Sequence, residues 1–184
     1  MTRPEKHDFP VVEARHFLEP GPVVLVSSHH AGKSNIMTLG WHSILAFAPS
    51  LVGCMISSGN HSFEMIRQSG ECVINLPTVE LADIVSKIGN CTGTAVDKFA
   101  EFGLTASPAE RVSAPLIDEC FASFECKLYD DAMVPNYNYF IFEIVKAHVA
   151  EGMEHPKTIH YMGDGEFMIA GDVIERRELF TKVS

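Results

Sequence analysis

The chain has 184 residues, 46% of them hydrophobic, enough for one ordinary core that buries roughly 70% of the surface an unfolded chain exposes. Fourteen Lys and Arg stand against twenty-four Asp and Glu, a formal net charge of −10, so a polyphosphate surface is repelled over most approaches and nucleic acid is excluded as a partner. A small anionic ligand then requires a local positive field, made by backbone amides and a few basic side chains.

The N-terminus, MTRPEKHDFP, places charges, a histidine and two prolines where a secretory leader needs an apolar run, and nothing approaches the length of a membrane span. The five cysteines Cys54, Cys72, Cys91, Cys120 and Cys126 are odd in number and contain no C-x-x-C pair, which argues against a disulfide framework or structural zinc. The expected location is a reducing cytoplasm, without membrane contact.

The first strand is read at Val23 to Val26, after the turn-like Pro20-Gly21-Pro22, with a hairpin loop from Ser27 to Lys33. A second strand runs from Ser34 to about Trp41, a third over Leu51 to Ile56, and a fourth over Glu71 to Leu76, closed by Pro77. A short helix fits Ser62 to Gln68, with Gly70 as its stop. Leu81, Ile84, Val85 and Ile88 fall on one face of a second helix, which ends near Gly89-Asn90. Val96 to Phe102 forms a third, brief helix before Gly103. Beyond Pro108 and Pro115, two long paired strands are expected over Phe121 to Tyr129 and Tyr139 to Ala150, around a loop from Asp130 to Asn138, and Phe167 to Ala170 adds a late strand. Several strands with small inserted helices read as a mainly β barrel or sandwich in a single domain, not as βαβ units.

Protein-based catalysts are scarce. Gly32-Lys33-Ser34 imitates the end of a P-loop, but Ser27 stands where its first glycine belongs and a strand follows. No G-x-G-x-x-G follows a strand, and H-E-x-x-H is absent. The histidines lack metal-ligand spacing, and no cysteine has an adjacent base, so the thiols read as small buried hydrophobes. Two polar clusters remain. Ser57-Ser58-Gly59-Asn60-His61-Ser62 joins a strand to a helix, where free amides and positive potential suit an anion such as a flavin phosphate; an ordinary cap by Asn60 or Ser62 is the alternative. On the second strand, Asn35, Met37, Leu39 and Trp41 share one face while Ile36, Thr38 and Gly40 share the other, a surface suited to a flat heteroaromatic ring or to filling a barrel interior.

These segments, with Pro22 to Val26, Cys72-Val73-Ile74-Asn75-Leu76-Pro77, Val96-Asp97-Lys98-Phe99 and Ala114-Pro115-Leu116-Ile117 in the same order, resemble the flavin reductase-like family, especially its flavoredoxin-like branch, over nearly the whole chain. The resemblance implies an FMN-binding split β-barrel, a homodimer and FMN held noncovalently near the subunit interface. It implies that Asn35, Met37, Thr38 and Trp41 line the flavin, that Ser57, Ser58, Asn60, His61 and Ser62 surround its phosphate, and that Lys98 supplies positive charge. Relatives often carry arginine where Ser58-Gly59-Asn60-His61 has none, and Gly-Arg-Asp where this chain has Gly93-Thr94-Ala95-Val96-Asp97; Thr94 and Arg67 are the substitutes to consider. The implied activity is an NAD(P)H:flavin oxidoreductase, using NADH or NADPH. The alternatives are an electron carrier reduced by a protein partner and a cofactor-free interaction or storage module, and a monooxygenase is a possible partner.

Overall fold

The computed structural model describes residues 21–152 and 155–180, so the N-terminal decapeptide read above lies outside the described residues. One antiparallel sheet dominates: β1 (Val24–His30), β2 (Lys33–Leu39), β3 (His42–Ala46), β4 (Leu51–Met55), β5 (Glu71–Leu76), β8 (Ala122–Asp130) and β9 (Tyr139–Val149), in the order β2-β1-β5-β8-β9-β4-β3. Met37 and Leu39 at one end of that order share a buried cluster with Val52 and Cys54 near the other, along with Val24, Val26, Cys72, Cys126 and Phe140. The sheet therefore curls around one interior, while no ladder joins β2 to β3 among the described residues. This is a split barrel, as expected.

Among the described residues, four short helices decorate it: α1 (His61–Ser69), α2 (Ala82–Gly89), α3 (Lys98–Phe102) and α4 (Val134–Tyr137). On α1, Ile66 enters the barrel interior, and the Phe63 ring meets Phe140 edge-on at 5.3 Å. A turn of 3-10 helix over Val79–Leu81 leads into α2, whose Val85 and Ile88 pack on Val23, Leu25 and Ile36 outside the barrel. Strands β1 and β2 are thus covered on both faces. That double burial is why Val23 to Val26 reads as an unbroken apolar run instead of an alternating one. Two two-stranded ribbons complete the fold, β6 (Ala106–Ser107) with β7 (Leu116–Ile117) and β10 (Ile159–Gly163) with β11 (Glu166–Ile169).

The structure corrects several boundaries. The first hairpin loop is only Ala31-Gly32, both with positive φ (50° and 76°), the geometry whose twist matches that of the flanking strands. Ser27 and Ser28 belong to β1 despite their polarity, because each is buried with a partner: Ser27 Oγ donates to Pro115 O, and Ser28 Oγ donates to Ser62 Oγ at 3.3 Å. The second strand ends at Leu39, and the unforeseen β3 follows it, giving five strands rather than four among the described residues before residue 80. The third helix starts at Lys98, not Val96, because the Asp97 carboxylate caps it by accepting from the amides of Phe99 and Ala100. The expected loop from Asp130 to Asn138 contains α4.

Two buried polar centres fix the connections. Asn75 Nδ2 donates to Leu25 O, Ser27 Oγ and Val73 O, while its Oδ1 accepts from Ile117 N–H (3.1 Å) and Ser123 Oγ (2.7 Å). One amide thus ties the Ala114-to-Ile117 segment to the barrel. The Glu125 carboxylate, 0% exposed, accepts from the backbone amides of Glu110, Arg111 and Val112 and pairs with His148 Nε2 at 2.7 Å. Burial pushes its pKa up, but the bonds from His148 and those amides bring it below the ordinary carboxylate value.

Candidate functional site

Three neighbouring clefts that share lining residues lie beside β2, where α1, α2 and the loop before α3 meet it. The first, of about 480 Å³, is lined by Met37, Thr38, Gly40 and Trp41 from the end of β2, by Met55, Ser57 and Asn60, by α2, and by Tyr161 and Phe167 of the β10–β11 ribbon. Its walls are apolar with polar edges, and its volume falls in the range of about 300–1,000 Å³ usual for small-molecule sites. The Thr38 hydroxyl donates to Val85 O at 2.8 Å, so toward the cleft it offers only its lone pairs.

At Met37 and Asn60 this cleft narrows into a neck of about 90 Å³, lined by Asn35, His61, Ser62, Cys91, Gly93 and Lys98. Ser62 is buried at the start of α1, where its Oγ accepts from Asn35 Nδ2 at 2.8 Å and from Ser28. Its own proton is therefore left to be donated elsewhere. The expected side-chain cap by Asn60 or Ser62 is not made: Asn60 is extended at the N-cap position without a side-chain cap bond, and its amide instead reaches Ser57 O at 3.4 Å. The opening of α1 keeps its positive end directed at the neck.

Lys98 is the unusual member. It is 4% exposed, and its Nζ donates to Ile88 O in the last turn of α2 at 2.9 Å, a favourable place for a cation. It pairs with no carboxylate among the described residues. Burial accordingly lowers its pKa from the ordinary lysine value. Gly93 keeps the neck tight, because a Cβ there would lie 2.1 Å from Asn35 Oδ1 and 2.9 Å from His61 Cδ2.

Past His61 and Gly93 the groove opens into a third cleft, of about 540 Å³, bordered by the Gly32-Lys33-Ser34 turn, residues 94–97, Phe99 and Ala106. The structure thus draws together Asn35, Met37, Thr38, Trp41, Ser57, Asn60, His61, Ser62 and Lys98 from three separate segments. Ser58 is exposed and lines none of the three clefts. Arg67 is not the substitute for an absent arginine: it lies on the exposed face of α1, bonded through Nε and a terminal nitrogen to both carboxylate oxygens of Glu64. Thr94 does border the third cleft. Sequence reasoning missed Tyr161 and Phe167, whose rings pack at 5.3 Å on a ribbon about 120 residues away from β2 in the chain.

Cys91 borders the neck, whereas the other four cysteines line none of the three clefts. Cys54, Cys72, Cys120 and Cys126 are buried, and all five thiols are free. The neighbouring Cys126 thiol together with burial holds Cys72 well above its ordinary pKa, burial does the same for Cys54, and Cys120 is pushed up to about 12 by burial. Among the described residues, no group of three or more His, Cys, Asp or Glu is arranged to hold a metal, and no helix is long and apolar enough to cross a membrane.

The profile of the Flavin reductase like domain matches residues 16–167. The chain belongs to the flavin reductase-like family. An uncharacterized relative from Archaeoglobus fulgidus is 32% identical over 142 residues, covering 77% of this chain and 78% of its own. Among solved structures, an FMN-binding domain of a flavin reductases-like enzyme from Shewanella baltica superposes with a TM-score of 0.79 at 25% identity, covering 91% of this chain and 95% of that one. A flavoredoxin from Methanosarcina acetivorans shares the fold, with a TM-score of 0.81 at 24% identity over 97% of this chain and 98% of its own. For this member of the family, the matched residues include all ten predicted site positions.

Proposed function

We propose that this chain is an FMN-binding oxidoreductase that takes electrons from NADH or NADPH and passes them to an acceptor. The observation carrying this reading is Lys98: a buried ammonium without a carboxylate costs several kcal/mol unless an anion meets it, and its cleft-side neighbours, Ser62, His61 and the start of α1, suit an anion. The residues present fit the cofactor. In this assignment the ring occupies the first cleft, with Met37 and Trp41 as apolar walls, Thr38 at its polar edge and Ser57 beside it; the phosphate lies in the neck with Lys98, Ser62, His61 and Asn60, next to Asn35. Ser58 has no part in it.

Bound there, FMN would supply the acceptance of two electrons from a reduced nicotinamide and their delivery onward. The chain's own residues bind and orient. Thr38, its proton committed to Val85 O, accepts a hydrogen bond and so selects an N–H edge. Lys98 neutralises phosphate charge against a background of −10. In this reading no side chain is required to move a proton. Five free thiols support a cytoplasmic protein. Exposed Ile44 and Leu45 of the edge strand β3, with Trp41 and Phe47 flanking it in the chain, support a homodimer whose interface adjoins the first cleft.

The test is the visible spectrum of the purified protein with FMN, before and after anaerobic NADH or NADPH. Bands that bleach support the reductase. Bands that persist until dithionite is added favour a carrier reduced by a protein partner, a reading encouraged by the flavoredoxin sharing this fold. Failure to bind FMN refutes both.

A further inference from the structure

We infer that the first cleft takes an uncharged aromatic acceptor and turns anionic ones away, with Asp164 and Glu166 helping to set that preference; the inference rests on the flavin reading above and names its acceptor class. Among the described residues that line this cleft, none carries a charge. The basic groups Lys98 and His61 border the neck instead. Positive side chains thus stand at the phosphate end of the groove and not at the ring end. The polar groups where β2 faces α2 offer lone pairs. A hydroxyl has a single proton, and two of them are spent on backbone carbonyls: Thr38 Oγ1 donates to Val85 O at 2.8 Å and Ser86 Oγ to Ala82 O at 2.9 Å. Asn90 likewise gives an Nδ2 proton to Ser86 O at 2.8 Å. A carboxylate or sulfonate brought against these oxygens would lose water and gain no cation, which strongly disfavours it.

The β10–β11 ribbon adds charge of the wrong sign for an anion. Its turn residues Asp164 and Gly165 both have positive φ, 51° and 83°, and Gly165 lines the cleft. Asp164 and Glu166 flank it, both exposed, and neither makes an ion pair among the described residues. The net charge of −10 acts in the same direction. What the cleft does offer is aromatic surface: the rings of Tyr161 and Phe167 lie 5.3 Å apart, and Trp41 stands beyond the end of β2. A planar uncharged molecule can stack on such rings, and an O–H or N–H on its rim meets the lone pairs of Thr38 and Ser86.

Trp41 is the single tryptophan of the chain and lines the cleft, so its fluorescence reports binding even without FMN. Titrations with 4-methylbenzamide and 4-methylbenzoate, alike in shape and different in charge, test the inference on the full chain, followed by Trp41 fluorescence in the FMN-free protein and by flavin absorbance in the FMN-loaded one. The amide should bind about tenfold tighter or more in both forms. Reoxidation of the chemically reduced, FMN-loaded protein by 1,4-naphthoquinone, a gain of two electrons and two protons by the quinone, should outpace reoxidation by its 2-sulfonate by about tenfold. Asp164→Asn with Glu166→Gln, the first keeping a residue type that tolerates positive φ, should tighten the benzoate about threefold at low salt and leave the amide within about twofold. Equal affinity for the pair, a tighter benzoate, binding of neither or a faster sulfonate overturns the inference. Benzoate affinity unmoved in the double variant overturns the roles of Asp164 and Glu166. FMN that does not bind is a different failure: it removes the flavin reading, while the titration of the FMN-free chain still decides the charge preference.

Discussion

Lys98 is the sharpest place to test the site. Replacing it with Met keeps most of the stem's volume while deleting the ammonium, its bond to Ile88 O and the charge facing the neck. Hydrogen bonds to charged groups contribute about 1.5–3 kcal/mol, and about 1.4 kcal/mol is tenfold in affinity, so FMN should bind about 10- to 100-fold more weakly. Riboflavin, which has no phosphate, should change less than threefold. The apo protein should not lose stability in proportion, because the lost Ile88 bond is offset by relief from burying a charge at 4% exposure. The pH dependence carries its own sign. Burial sets the Lys98 pKa below the ordinary lysine value, so FMN affinity should be full below that lowered pKa, decline as pH rises through it, and show no such decline in Lys98→Met. Titrations of both flavins against both proteins, with thermal unfolding of the apo forms, read all of this. Equal loss of FMN and riboflavin would sink the assignment of Lys98 to the phosphate.

Thr38→Val should weaken FMN and riboflavin alike, about five- to tenfold for the net loss of about 1 kcal/mol per neutral hydrogen bond; a change confined to FMN would contradict its place at the ring. Gly93→Ala drives a methyl toward Asn35 Oδ1 at 2.1 Å, and overpacking of about 1–3 kcal/mol should displace the Asn35–Ser62 bond and weaken FMN at least tenfold, measured by the same titration. Glu125→Gln strips charge from the carboxylate that holds residues 110–112 and His148. A loss of about 2–3 kcal/mol corresponds to a melting temperature lower by roughly 5–10 °C for a domain of this size. Because the Glu125 pKa is depressed, the stability it confers is present above the unfolded carboxylate value and disappears as pH falls through the folded one, so wild type and variant should converge in acid. Ile44→Asp on the β3 edge should shift a dimer to monomer by light scattering; an unchanged mass would remove that face as the interface.

The sequence by itself determined much of the local structure and named many of the residues that line the groove. Periodicity located α2 through Leu81, Ile84, Val85 and Ile88, and the β5 bounds through Glu71 to Leu76, because local sterics and the turn chemistry of glycine and proline act over a few residues. Polar residues where strands and helices are expected to be apolar, at Asn35, Thr38 and Ser57 to Ser62, singled out the groove. Only the tertiary structure decided the rest. Ser27 and Ser28 read as loop until Pro115 and Ser62 appear as their partners, 88 and 34 residues away. Arg67 looked available until its bond to Glu64 placed it on the outer face of α1. Lys98 was singled out only through the family resemblance, and Tyr161 and Phe167 not at all as site residues; what makes the first a buried cation without a carboxylate among the described residues and the others a cleft wall is contact across the folded chain. Such contacts leave no periodic mark, since burial and charge pairing are set by which segments meet in space and not by the spacing of residues along any one of them.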